Sequence, residues 1–89
     1  MTIEKYETLA KVVELGSLTR AAEELGCTQS AISHSINKLE SELGFSVITR
    51  SKAGVKLTAD GEKIMPSVRG ILNYEEQLKQ TASSIRGLD

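Results

Sequence analysis

The sequence predicts a mainly α fold: a three-helix bundle, a short β-hairpin, then a long C-terminal helix. Apolar residues recur at helical spacing in three successive blocks, at i, i+3, i+4 and i+7 in the first two and at i, i+4, i+7 and i+11 in the third, each closed by a glycine at Gly16, Gly26 or Gly44. The period breaks once, at "FSVITRSKAGVKLT", where Val, Ile and Thr surround a turn containing Gly54. Beyond Thr58 the apolar residues step by fours and threes to the end of the chain.

Each element has its own signals. In residues 2–15, Tyr6, Leu9, Ala10 and Val13 form one stripe, with Thr2 as the expected N-cap and Gly16 as the stop. Ser17 caps a second helix, "LTRAAEEL", whose expected core positions are Leu18, Ala21, Ala22 and Leu25. Thr28 caps a third, with Ile32, Ile36, Leu39 and Leu43 inward and Gly44 at its end. The hairpin is expected at about residues 46–50 and 55–58, with Gly54 supplying a positive φ. The last helix starts after Thr58, with Asp60 and Glu62 in its first turn, where the helix dipole favours acids. Ile64, Val68, Ile71, Leu78, Ala82 and Ile85 make a heptad seam broken only at Glu75, and Pro66 is expected to bend the helix. The seam suits pairing with a second copy; the competing reading packs it back onto the bundle.

Composition narrows the function. The chain holds 89 residues, 39% hydrophobic but only 3% aromatic, which implies one small domain with an aliphatic core. One cysteine, Cys27, fits a reducing cytoplasmic setting and reads as a small buried turn residue. No apolar run reaches membrane-spanning length, so no membrane partner is expected. The net charge is −1, yet residues 25–59 set Lys38, Arg50, Lys52 and Lys56 against Glu40 and Glu42, a local +2. Nothing supports catalysis. One His and one Cys make no metal cluster, Ser33 and His34 diverge on a helix, and no phosphate loop is present. No cofactor and no metal are expected.

From Leu25 to Asn37 there is no Asp, Glu, Lys or Arg, although 26% of the chain is charged. With Ile32 at zero, Ser30, His34 and Asn37 fall at about 160°, 200° and 140°, opposite the core, and Ser33 lies on the flank. Gln29 projects from the first turn. A face of short, uncharged hydrogen-bonding groups is suited to base edges and phosphate oxygens. Ala22, Gly26, Ile32 and Ile36 carry the spacing of a helix-turn-helix, in which small residues let two helices cross closely. Arg50, Lys52 and Lys56, on the hairpin, are expected at phosphate or in the minor groove. The plainer alternatives are capping or solvent exposure for Gln29 and Ser33, a solvated imidazole for His34, and edge-strand charges for the hairpin.

Taken together, "GSLTRAAEELGCTQSAISHSINKLESELG" followed by "RSKAGVKLTADGEKIMP" closely resembles the N-terminal DNA-binding domain of LysR-type transcriptional regulators. The resemblance covers the whole chain. It implies a winged helix-turn-helix over residues 1–58 and a linker helix over 59–89 through which two protomers pair. By position, Gln29, Ser30, Ser33 and His34 match the DNA-contacting residues of the recognition helix, and Arg50 and Lys52 match the wing. Thr28 and Lys38 correspond to phosphate contacts. Many members carry Pro where this chain has Ser30 and Arg where it has His34. The usual Leu-Phe before Glu-Arg is here Val47-Ile48 before Thr49-Arg50. The family continues into an effector-binding domain, so a small-molecule effector is expected only there, and this chain is expected to be the DNA-binding fragment.

The functional expectation is a bacterial, dimeric regulator that binds an inverted repeat in double-stranded DNA. The alternative is a helix-turn-helix module that assembles proteins without reading DNA, a reading that the low net charge favours.

Overall fold

The computed structural model describes residues 3–87. Helices α1 (Glu4–Leu15), α2 (Leu18–Leu25) and α3 (Gln29–Leu43) are followed by strands β1 (Ile48–Ser51) and β2 (Gly54–Leu57) and helix α4 (Ala59–Arg86). The expected cap Thr2 lies outside the described residues, and α1 begins after Ile3 with no side-chain cap. The caps Ser17 and Thr28 stand as read, and the structure adds Thr58; each accepts the N–H of the residue three further on.

The helix-turn-helix spacing translates directly into packing. Ala21, Ala22, Ile32 and Ile36 are buried against one another and against Leu9, Val12 and Leu39. Between the two helices, Gly26 adopts φ 71°, its N–H bonds the Glu23 carbonyl and the Cys27 N–H bonds the Ala22 carbonyl. This double closure ends α2 and redirects the chain, and the left-handed φ is costly for any residue with a Cβ.

Other expectations are corrected. Leu25 and Leu43 are exposed, since each is the last residue of its helix, where the chain turns away from the core. Cys27 is likewise exposed, on the outside of the turn. Both strands differ in position from the expected 46–50 and 55–58. The backbone around Ser46 and Val47 is engaged elsewhere: Thr58 donates its hydroxyl to the Ser46 carbonyl (2.7 Å) and its N–H to the Val47 carbonyl (3.0 Å). Pairing therefore starts at Ile48↔Leu57 and ends at Ser51↔Gly54, leaving Lys52 and Ala53 as the turn.

Helix α4 runs unbroken through Pro66. The ring removes the donor for the carbonyl of Glu62, an exposed residue. The expected seam divides along this helix. Val68 is only 3% exposed, and Ile64 packs against the same core, together with Met65 and Leu72. These residues close the open side of the bundle against α1 and β2, so Ile64 and Val68 belong to the core and not to a seam. Farther on, Ile71, Leu78 and Ile85 are exposed, the last two at 56% and 82%. Tyr74 is exposed beside them. No helix among the described residues is long and apolar enough to cross a membrane.

Candidate nucleic-acid interface

The N-terminal half of α3 packs one side into the bundle and turns the other outward. Thr28, Gln29, Ser30, His34, Asn37 and Lys38 are exposed, and Ser33 is half-buried at the edge. What places them outward is the burial of Ile32, Ile36 and Leu39 on the other side of the helix. Thr28 holds the helix start, its Oγ1 accepting the Ala31 N–H at 3.1 Å.

Neighbouring elements reach this face from both flanks. From α2, the Thr19 hydroxyl donates to Gln29 Oε1 at 3.3 Å. From β1, Arg50 lies back over α3, with Nη1 3.4 Å from Ser33 Oγ and Nη2 3.4 Å from Asn37 Oδ1. Asn37 is thus a partner of Arg50 as well as a member of the outward face. An open groove of about 310 Å³ runs between Thr19, Gln29, Arg50 and the hairpin.

The hairpin is fixed at both ends. Val55 donates its N–H to the Gly16 carbonyl at 3.0 Å, and Gly54, at φ 114°, sits so close that a Cβ there would lie 2.6 Å from the same oxygen. At the other end the Glu40 carboxylate accepts the N–H groups of Val47 (2.7 Å) and Ile48 (3.3 Å). Lys52 is exposed at the tip, and Lys56 is exposed on β2 opposite Thr49. Below His34 and Lys38, Lys5 bridges to Glu42 at 2.9 Å, tying α1 to α3. That hydrogen bond holds the Glu42 carboxyl below its usual range and raises the Lys5 ammonium.

Two structural contributors escaped the sequence reading. No local pattern in the sequence singles out Thr19. Glu40 carried a signal, being an acid inside the basic middle third, set on the flank of the α3 core stripe.

A model of the bacterial regulatory helix-turn-helix proteins of the lysR family matches residues 3–62. Over 90 residues the chain is 37% identical to an uncharacterised HTH-type transcriptional regulator, YvbU of Bacillus subtilis (strain 168), covering 100% of this chain and 31% of that protein. The chain spans about a third of the length of the curated relatives it matches. Among solved structures, the complex of the BenM DNA-binding domain with catB site 1 DNA superposes with a TM-score of 0.89 at 29% identity, covering 97% of both chains. The complex of the CbnR DNA-binding domain with DNA gives 0.86 at 27% identity, over 97% of this chain and 99% of that one. Members of this family are transcriptional regulators and not enzymes. A helix-turn-helix with an outward, uncharged α3 face, a docked hairpin and these matches together place the chain in the lysR family of bacterial regulators, as its DNA-binding domain.

Proposed function

We propose that α3 enters the major groove of an operator half-site and reads it with Gln29, Ser30, Ser33 and His34. The observation that carries this is the exposed, charge-free first half of α3, flanked by Lys38 and by the cations of the hairpin. Carboxylates on that face would repel phosphate, and long lysines would add affinity with little discrimination. The division of labour follows. Small polar groups on α3 specify, while Arg50, Lys52 and Lys56, with Thr28 and Lys38, hold the backbone or the adjacent minor groove. That the similar BenM and CbnR domains were each solved in complex with DNA supports DNA as the partner.

Two copies bind an inverted repeat, one half-site each, paired through α4. Exposed Ile71, Tyr74, Leu78 and Ile85, with half-buried Ala82, follow steps of three and four along one side of α4. An apolar hollow of about 570 Å³ opens between Ile3, Ile71, Tyr74 and Leu78. Residues 1–58 act as the DNA-binding unit and 59–89 as the linker that pairs, with effector binding assigned to a further domain of the family.

Two variants separate the roles. Gln29→Ala should weaken binding to the selected site by about 1–3 kcal/mol and relax preference at one base pair. Lys52→Ala should weaken binding to every sequence and lower the slope of log affinity against log salt by about one. Parent-like binding of both variants to selected and random duplexes would overturn the assignment.

A further inference from the structure

The hydrogen bonds across the α3 face share one direction. Each side-chain acceptor that they engage there is met by a donor from a neighbouring element: Gln29 Oε1 by the Thr19 hydroxyl, and Ser33 Oγ and Asn37 Oδ1 by the Arg50 guanidinium. An amide whose oxygen is held on one side presents its NH₂ on the other. Thr19 takes one of the two lone pairs of Oε1 and draws the oxygen toward α2, which leaves the two N–H donors of Gln29 as the main groups offered to the groove.

We infer that Thr19 is a positioning residue for base readout: its hydroxyl orients the Gln29 amide so that the domain offers donors to an acceptor on a base edge. The inference rests on the reading of α3 as the recognition helix. In the major groove such acceptors are purine N7, guanine O6 and thymine O4. The bidentate pairing of a glutamine with adenine needs the oxygen to accept from N6 and the nitrogen to donate to N7. Thr19 therefore disfavours that pairing and favours an edge met by N–H groups alone. Thr19 lies in the first turn of α2 and is exposed, so its removal leaves the buried residues of α2 (Leu18, Ala21 and Ala22) in place.

The test measures base preference, position by position, in DNA selected from a random pool by the parent, Thr19→Val, Thr19→Ser and Gln29→Ala. Valine keeps the shape and removes the hydroxyl; serine keeps the hydroxyl. The expected result is that Thr19→Val relaxes preference about fivefold, at the same base pair that Gln29→Ala relaxes, while Thr19→Ser retains it. Replacing the purine at that pair by its 7-deaza analogue, or the thymine by an analogue lacking O4, should weaken the parent more than it weakens Gln29→Ala. If Gln29→Ala relaxes a position and Thr19→Val leaves it unchanged, Thr19 does not orient the amide and the inference falls. A parent preference there for adenine that depends on its N6 amino group also overturns it. If Gln29→Ala changes no position, the fault lies with the recognition-helix reading itself.

Discussion

Glu40 and Gly61 show how single residues hold the hairpin where DNA would meet it. The Glu40 carboxylate accepts two N–H groups at the entry to β1, and the first of them belongs to Val47, which is fully buried. Glu40→Ala leaves both donors without their partner, at a cost of roughly 1–3 kcal/mol. A lower midpoint in urea unfolding is the expected readout, with Glu40→Gln falling between the two because it keeps a neutral acceptor. Gly61 faces the same loop from α4, and an added Cβ would fall on the Val47 carbonyl oxygen. Gly61→Ala should therefore destabilise the fold by about 1–3 kcal/mol, against the gain alanine brings to an ordinary helix position. A stabilised Gly61→Ala protein would show that the loop yields freely.

At the level of elements, what was legible in the sequence depended on how local its cause was. The caps at Ser17 and Thr28 and the left-handed glycines at Gly16, Gly26, Gly44 and Gly54 are fixed within a few residues and read correctly, whereas the stripes missed Val12 and overreached at Leu25 and Leu43. Strand bounds were not local. Thr58 and Glu40, from outside the hairpin, take up the backbone of residues 46–48 and so set where β1 begins. Helix α4 was ambiguous for a related reason. One unbroken period serves two partners, because Ile64 and Val68 fill the core while Ile71, Leu78 and Ile85 remain exposed beyond it. Periodicity reports an apolar side and is silent about what covers it. Sedimentation of Ile71→Asp and Leu78→Asp proteins tests the outer part. Each should shift the population toward monomer while leaving the far-UV spectrum of the fold intact. Association equal to the parent's would remove α4 from the dimer.

Across the whole molecule, net charge was a poor guide and its arrangement a better one. A chain of net −1 carries Lys38, Arg50, Lys52 and Lys56 beside the face it exposes, while many of its acids lie on α1, α2 and the distal part of α4. The candidate contacts on α3 were readable because helical geometry dictates which side faces out. The contacts between them were not, since Thr19 and Arg50 meet α3 only after folding. Selection of bound duplexes from a random DNA pool, at low salt, tests the central claim most directly. Enrichment of an inverted repeat whose half-sites lose a defined preference in Gln29→Ala is expected; a pool that stays random, or a Gln29→Ala pool identical to the parent's, would contradict base reading by α3.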